Sequence, residues 1–255
     1  MTKLFLSSID QHYRELTLEI AKKSKYVLAT YYYLKTKSND DKLMDLLKKY
    51  NERGRLIIDS GAFSFMNGKQ ITEPNLDQYC EQYVKFLKQY KIKNFVEMDI
   101  DAIFGYSKAL EYRNFIENSM NKQCIPIWHK SRGKAEFKKM VEQYSYAGIG
   151  GIAIKNIKRN EWKFFKELND FAKYNHCKMH AMGFTPTHDL NAYGFYSSDS
   201  SSWTTGPRFG QLYRFNGSKI TTLKKPPHSR LVLSQKQIQQ FNWNEWCKYQ
   251  KFVDK

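Results

Sequence analysis

The sequence predicts an α/β fold, and more specifically a closed (β/α)8 TIM barrel. Short apolar runs that are typical of buried strands alternate with longer segments whose apolar residues recur at helical spacing. Eight such runs, separated by roughly 25 to 30 residues, give the number of parallel strands that a barrel requires. An open doubly wound sheet is the alternative, but no G-x-G-x-x-G follows the first run.

The first of the eight predicted strands lies near the N-terminus, and the last ends at Asp199. In chain order they cover residues 3–8, 26–33, 55–59, 94–100, 124–129, 150–154, 178–184 and 195–199. The third is the clearest, because Leu56, Ile57 and Ile58 are typical of a buried strand and the following Asp59-Ser60-Gly61 ends it in a turn.

Helix-like segments separate these strands. They cover residues 11–23, 40–51, 75–90, 107–121, 135–144, 161–174 and a short stretch near 187–192. After Gly206 the pattern changes to a hairpin, with residues 211–215 and 219–222 on either side of Asn216-Gly217, and then to a last helix over about residues 234–252. We therefore expect a catalytic barrel domain over residues 1–210 and a C-terminal hairpin-plus-helix extension over residues 211–255, packed on the barrel.

Composition restricts the class of protein and of partner. The chain has 255 residues, 41% of them hydrophobic, which is enough for a large core. Lysine and arginine exceed the acids by 42 − 25 = 17, so nucleic acid is the leading candidate partner. The four scattered cysteines predict free thiols in a reducing compartment. Since there is no long apolar run and no signal-peptide pattern, we expect a soluble, cytoplasmic protein without a membrane partner.

Polar and acidic residues follow most of the predicted strands. In a barrel the carboxyl ends of the strands form the active site, so these residues should meet at one mouth. They are Asp59, Asp99, Asp101, His129, Gly150, Gly151, Lys155, Met182, Gly183 and Asp199. One isolated Asp-Ser-Gly is more often a helix cap, but the repetition favours a functional site.

Several carboxylates at one mouth repel one another, which raises the pKa of at least one of them and separates a protonated acid from an ionised nucleophile. Exchange at a glycosidic carbon needs such a pair, because one group attacks C1′ and the other protonates the leaving group. By spacing alone, a glycosidase, an aldolase and a transglycosylase all remain open.

Four short motifs suggest a family. Residues 59–64, Asp-Ser-Gly-Ala-Phe-Ser, resemble the Asp-Ser-Gly-Gly-Phe-Gln segment of tRNA-guanine transglycosylases, and residues 146–154 resemble their Gly-Gly-Leu-Ala-Val region. Residues 180–184 are similar to their Leu-Met-Gly-Val turn, and Ser198-Asp199-Ser200 falls where their nucleophilic aspartate follows a strand. The motifs occur in the family's order over about residues 55–208. The chain is most similar to the phage branch, which exchanges guanine in DNA for a 7-deazaguanine such as preQ0.

The resemblance implies roles for individual residues. Asp199 would be the nucleophile, and Asp59 would be the general acid to the leaving guanine and the general base to the incoming base. Asp99, or else Asp101, would hold the N1 and amino edge of the base. The other residues that would surround the base are Ser60, Gly61, His129, Gly150, Gly151, Met182 and Gly183. No cofactor is implied, since one glycosidic bond replaces another.

Departures from the family pattern affect the substrate and the metal. Ala62 and Ser64 replace glycine and glutamine, and Lys155-Asn156 replaces the Gly-Glu that follows the glycine pair. These changes leave open which 7-deazaguanine is used. The zinc insert of the tRNA enzymes, a C-x-C-x-x-C cluster with a distant His after the nucleophile, is missing, because His228 and Cys247 are the only His and Cys that follow Asp199. We therefore predict no structural zinc and no other metal.

Basic residues that follow the strands should bind phosphates flanking the reacting nucleotide. They are Lys130, Arg132, Lys134, Lys155, Lys158, Arg159 and Arg208. Surface lysines at helix starts are the alternative for each of them. DNA is the expected substrate, and the other functions kept open are the same reaction on tRNA, a non-catalytic nucleic-acid-binding barrel and a glycoside hydrolase.

Overall fold

The computed structural model describes residues 1–12, 14, 16, 18–66, 72–186, 188–206, 211–223 and 233–255. Within them, seven parallel strands form one curled sheet in the order β3-β2-β1-β7-β6-β5-β4, and helices cover its convex side. The strands are β1 Lys3–Leu6, β2 Val27–Thr30, β3 Leu56–Asp59, β4 Ile127–Trp128, β5 Tyr146–Ile149, β6 Lys178–Ala181 and β7 Ser197–Ser200. A separate antiparallel hairpin contains β8 Leu212–Phe215 and β9 Ile220–Leu223.

The described α-helices alternate with the strands along most of the chain. They are α1 Ile9–His12, α2 Leu18–Ala21, α3 Tyr31–Leu34, α4 Asp41–Glu52, α5 Ala62–Met66, α6 Glu73–Gln89, α7 Asp101–Phe104, α8 Tyr106–Met120, α9 Gly133–Gln143, α10 Phe165–Tyr174 and α11 Gln235–Val253. Short 3-10 turns cover Lys130–Arg132, Arg159–Phe164, Leu190–Tyr193 and Ser202–Thr204.

Local sequence signals explain the better-defined helix ends. Asp40 caps α4 by accepting the N–H of Leu43 at 3.3 Å, and Pro74 lies in the first turn of α6, where its missing N–H costs nothing. Ser234 and Gln237 form a capping box at the start of α11. The predicted helix boundaries therefore agree with the observed ones to within about two residues for α4, α6, α8 and α11.

The prediction of a closed eight-stranded barrel is wrong, because the sheet is TIM-like but open. Residues 94–100, predicted as a strand, make only two isolated bridges, between Phe95 and Ile58 and between Val96 and Ile125. The side chain of Glu97 explains why the pairing stops, since its Oε1 accepts the N–H of Ile127 at 2.6 Å. That N–H is thus no longer available to a backbone ladder.

Of the other predicted strands, one is displaced and one is shorter than expected. The strand expected at residues 150–154 lies at Tyr146–Ile149 instead, and Gly151, at φ +80°, turns the chain so that its carbonyl accepts the N–H groups of Asn156 and Ile157. The second strand ends at Thr30, after which α3 begins. In contrast, β7 lies between β1 and β6, as predicted for the strand that carries Asp199.

The C-terminal helix packs against the sheet. Gln250, fully buried, donates from Nε2 to the carbonyls of Leu4 and Tyr26 at 2.6 and 2.8 Å. The hydroxyl of Tyr249 donates to the carbonyl of Pro186 at 3.0 Å. These contacts connect α11 to β1 and to the loop after β6. Among the described helices, none combines the length and the apolar composition required to cross a bilayer.

Candidate active site

Strand alternation places Asp59 and Asp199 on the same side of the sheet. Leu4 and Leu6 of β1 pack in the main core beneath the helices, whereas Phe5 and Ile57 belong to a second apolar cluster on the concave side. Asp199 is the lateral neighbour of Phe5 in the parallel register, and Asp59 lies two residues after Ile57. Both carboxylates therefore point into the concave side at the carboxyl ends of their strands.

The environment of Asp59 raises the pKa of its carboxyl group. The pKa of Asp59 is raised from 3.8 to about 7, mainly by burial and further by the charges of Asp99, Asp199 and Asp10, while the hydrogen bond from Gly61 opposes the rise. The N–H of Gly61 donates to Oδ2 at 3.0 Å. At neutral pH Asp59 is consequently divided between its protonated and ionised forms, as a general acid and base requires.

Asp199 is held by neighbours on β6 and on the turn after it. The N–H of Gly183 donates to its Oδ1 at 2.6 Å, and Nε2 of His180 lies 3.4 Å from the same oxygen. The Thr185 hydroxyl donates to the Asp199 carbonyl at 2.8 Å. With 7% of its surface exposed, Asp199 has a fixed orientation at the mouth of the sheet.

A hydrogen-bonded chain runs along the concave side below Asp199. Nδ1 of His180 lies 2.8 Å from the Ser197 hydroxyl, which lies 2.6 Å from the hydroxyl of Tyr146. His180 is 1% exposed, and its ring contacts Phe5 edge-on at 6.0 Å between centroids. These contacts fix the imidazole beside Asp199, whereas the sequence left open whether His180 binds the sugar or a phosphate or is a structural histidine.

Asp10 is a buried acid whose charge acts on Asp59, and sequence reasoning missed it. It is completely buried in the first turn of α1, Oδ2 accepts the N–H of Thr30 at 2.8 Å, and Oδ1 has no hydrogen-bond partner among the described residues. Burial raises the pKa of Asp10 to about 6. The position of Asp10 after strand β1 could have indicated a site residue. However, an acid in the first turn of a helix is normally interpreted as stabilising the helix N-terminus.

The segment after Val96 brings Asp99, Asp101 and His129 together. Nε2 of His129 lies 2.7 Å from Oδ1 of Asp99 and 3.8 Å from Oδ1 of Asp101. Burial lowers the pKa of His129, but the hydrogen bond and charge of Asp99 outweigh it, so the net shift is upward. The imidazole is thereby favoured as the cationic partner of Asp99.

These three residues also offer ligand atoms for a metal ion, because one atom from each lies within 4.8 Å of the others. However, Nε of Arg132 donates to Oδ2 of Asp101 at 2.8 Å. The guanidinium thus already neutralises one of the two carboxylates, and this reduces the negative charge that would attract a cation.

A buried ion pair supports the segment that carries Asp99. Nε of Arg113 donates to Oε2 of Glu97 at 2.6 Å, and the two side chains are 5% and 0% exposed. Burial raises the pKa of Glu97, while Arg113 and Arg132 oppose that rise. No sequence motif marks Glu97, whose side chain connects the 94–97 segment to β4.

The glycines of the predicted base site lie where side chains would clash. A Cβ on Gly150 would lie 2.6 Å from Cε1 of His129, and one on Gly183 would lie 2.9 Å from Cβ of Ala153. The N–H of Gly150 donates to the carbonyl of Trp128 at 2.9 Å. Gly150 therefore allows close packing against the His129 ring, but its N–H is not available to a base.

Ser60 and Met182 have structural contacts of their own. Ser60 is 1% exposed, its hydroxyl accepts the N–H of Ala62 at 3.4 Å, and its carbonyl accepts the Tyr79 hydroxyl at 2.6 Å. Met182 is partly buried against the concave apolar cluster. Ser60 is thus occupied with the turn after β3, whereas Met182 still borders the concave side.

The predicted phosphate-binding residues divide into two groups. Arg132 is paired with Asp101 and donates from Nη1 to the carbonyl of Ile127 at 2.5 Å, and Lys130 is paired with Glu161. The structure thus gives Arg132, whose side chain is 4% exposed, a structural position. In contrast, Lys134, Lys155, Lys158 and Arg159 are exposed and lie outside these two ion pairs, and Lys130 is exposed as well. Arg208 lies outside the described residues.

Comparison with known proteins gives information on the fold only. No family model and no curated protein matches this chain. A solved structure from Aquifex aeolicus VF5, described as "Structural study of Project ID", is similar with a TM-score of 0.52 and 8% sequence identity, over 97% of this chain and 93% of that one. The TM-score supports a shared α/β architecture. An identity of 8% carries no information about activity.

Proposed function

We propose that this protein is a base-exchange enzyme, a pentosyltransferase that replaces guanine in DNA with a free 7-deazaguanine such as preQ0 or a derivative. The observation that carries the proposal is the pair of carboxylates at the concave mouth. Asp59 has a pKa of about 7, which the charge of Asp199 helps to raise, and Asp199 is held by a backbone N–H. The substrate assignment rests on the resemblance of residues 59–64 and 198–200 to guanine transglycosylases.

The two carboxylates divide the work of the first half-reaction. Gly183 holds Oδ1 of Asp199, so we assign the attack to Oδ2, which forms a bond to C1′ as the bond from C1′ to guanine N9 breaks. The electron pair of the broken bond stays on guanine, and protonated Asp59 donates its proton to it. The product of this step is a sugar bound covalently to Asp199.

The second half-reaction reverses these steps with a different base. Ionised Asp59 accepts the N9 proton of the incoming 7-deazaguanine, N9 forms a bond to C1′, and the Asp199 oxygen leaves. Asp59 regains its proton and Asp199 its charge, so the exchange consumes no cofactor. A pKa near neutrality suits Asp59 to both directions of proton transfer.

Asp99 is the proposed acceptor for the N1 and amino hydrogens of guanine. A carboxylate can accept both donors at once, and Nε2 of His129, 2.7 Å from Oδ1 of Asp99, holds that carboxyl group in place. Gly150, Gly151 and Met182 border the same region, and Met182 would pack against the face of the base.

The exposed cations after β5 are the proposed contacts for the DNA backbone. Lys155, Lys158 and Arg159 occupy one connection between β5 and α10, next to the turn that carries Gly151. Their phosphate contacts would be screened by salt. For Asp199 to reach C1′, the nucleotide must leave its base stack, at a cost of about a few kcal/mol in duplex DNA.

Because the proposed substrate is DNA, we propose that the protein acts in the cytoplasm of a cell, which would be the host cell if the gene is carried by a phage.

The test measures release of labelled guanine from DNA or tRNA in the presence of free 7-deazaguanine bases. We expect release from DNA that depends on the added base and is abolished in Asp199→Asn, whereas Asp170→Asn, which alters an exposed carboxylate of α10, retains it. Release from tRNA alone would overturn the DNA assignment. No release from either polymer would favour a non-catalytic nucleic-acid-binding protein, and normal exchange by Asp199→Asn would refute the nucleophile.

A further inference from the structure

A pocket of about 200 Å³ lies at the opposite end of the sheet from the carboxylates. It is lined by the first residues of β1, β5 and β6 and by residues that precede β3, β4 and β7. We call it the amino-end pocket. Of the described residues that line it, four are lysines and none is acidic; the lysines are Lys3, Lys93, Lys122 and Lys178.

Two of the lysines, Lys3 and Lys178, make cation–π contacts with the ring of Tyr196. Nζ of Lys3 and Nζ of Lys178 lie 4.3 and 5.1 Å from the centroid of the Tyr196 ring. Lys3 also donates to the Tyr196 hydroxyl. Cation–π contacts orient the two ammonium groups without neutralising their charges, so both remain available to an anion.

The other two lysines of the pocket are held by backbone carbonyls. Lys122 donates from Nζ to the carbonyl of Lys93, and Lys93 donates from its own Nζ to the carbonyl of Glu52 at 2.6 Å. Burial and the charge of Lys93 both lower the pKa of Lys122. Neutral carbonyls hold the two ammonium groups in place, and neither contact supplies a negative charge.

Two carboxylates on neighbouring segments, Asp254 and Glu117, have other partners. Asp254, which accepts the Tyr26 hydroxyl at 3.3 Å, is paired with Lys25. Glu117 accepts the N–H of Cys124 at 2.9 Å and the Tyr144 hydroxyl at 3.3 Å. The lysines of the pocket therefore repel one another without a carboxylate lining it, and a bound anion would relieve this repulsion.

We propose that the amino-end pocket binds a phosphate group through its four lysines. Several cations around a small recess match the charge of a phosphate dianion, and ammonium groups donate charge-assisted hydrogen bonds to its oxygens. Tyr196 and the exposed Gln123 add neutral donors on the lining. The source is either a free phosphate compound or the terminal phosphate of a nucleic acid, and the site is separate from the carboxylate mouth.

The test measures binding by calorimetry and phosphorus NMR at constant ionic strength. The probes are inorganic phosphate, pyrophosphate, and a short oligodeoxynucleotide with and without a 5′-phosphate. We expect saturable binding that falls about tenfold or more in Lys122→Gln combined with Lys178→Gln. Both lysines are exposed, so the variant should fold, as circular dichroism would verify.

Lys166→Gln provides the matched control, because it removes one exposed lysine of α10 that is paired with Asp170. We expect phosphate binding to be retained in this variant and in Asp199→Asn. Preference for the 5′-phosphorylated oligonucleotide over its unphosphorylated form would identify a nucleic-acid end as the source, and preference for pyrophosphate a free phosphate compound. The proposal is overturned if no probe binds saturably, or if the double variant binds as the unaltered protein does.

Discussion

Replacing Asp59 by Asn should change how the stability of the protein depends on pH. The carboxyl group has a pKa of about 7 in the folded protein and its ordinary value of 3.8 in the unfolded chain. Between these values the folded state holds a proton that the unfolded state has released. Stability from this group is therefore present below about pH 4 and is lost as the pH rises towards 7.

The size of the effect follows from the two pKa values. Applying the linkage relation between pH 5 and pH 8 gives a loss of about 2.5 kcal/mol in the free energy of unfolding from Asp59 alone. Asn cannot ionise, and its side-chain oxygen can still accept the N–H of Gly61. Asp59→Asn should accordingly be the more stable protein at pH 8, with a smaller advantage at pH 5.

Urea denaturation at the two pH values measures this difference directly. Asp45→Asn serves as the control, since Asp45 is an exposed residue of α4. Titrating groups that do not interact with Asp59 are shared by all three proteins and cancel in the comparison, whereas Asp10, whose charge acts on Asp59, contributes to the same difference. If the unfolding free energies of Asp59→Asn and the unaltered protein change in parallel between pH 5 and pH 8, Asp59 does not have a raised pKa and our account of the mouth fails.

Three further substitutions probe the surroundings of the site. Arg113→Met should lower the free energy of unfolding by about 3 kcal/mol or more, because it leaves Glu97 buried without its main partner; adding Glu97→Gln should recover part of the loss in urea titrations. Gly61→Ala should lower the free energy of unfolding by about 1–3 kcal/mol in the same assay, because φ of Gly61 is +72° and the new Cβ would lie 2.6 Å from Cβ of Tyr32. An unchanged denaturation midpoint would contradict the observed turn. Asp10→Asn should lower the pKa of Asp59, because the Asp10 charge contributes to raising it; a carboxyl carbon NMR titration measures the shift, and an unchanged pKa would show that the two acids do not interact.

Strand patterns allowed much of the fold to be predicted from sequence. Runs of aliphatic residues such as Leu56 to Ile58 identified buried strands, and the position of Asp199 at the end of β7, beside β1, followed from the alternation. The prediction placed a strand at residues 94–100 because their composition is apolar. It could not show that the Glu97 side chain replaces a backbone partner of Ile127.

Tertiary contacts determine the parts of the site that sequence could not reveal. Arg132 was predicted to bind phosphate, yet it is paired with Asp101, and nothing in its local sequence distinguishes these two roles. From sequence, Asp10 resembles an acid that stabilises a helix N-terminus. The structure shows instead that it is buried and accepts the N–H of Thr30. The glycine pair at 150–151 was assigned to a strand, because Gly-Gly among aliphatic residues resembles a strand interior, whereas Gly151 turns the chain.

The covalent step is tested most directly by intact-protein mass spectrometry after incubation with guanine-containing oligodeoxynucleotides and acid quenching. Our account predicts a mass increase equal to the oligonucleotide minus one guanine, mapped by peptide analysis to Asp199, and no adduct in Asp199→Asn. An adduct on another residue, or an equal amount of adduct in Asp199→Asn, would contradict the assignment of Asp199 as the nucleophile.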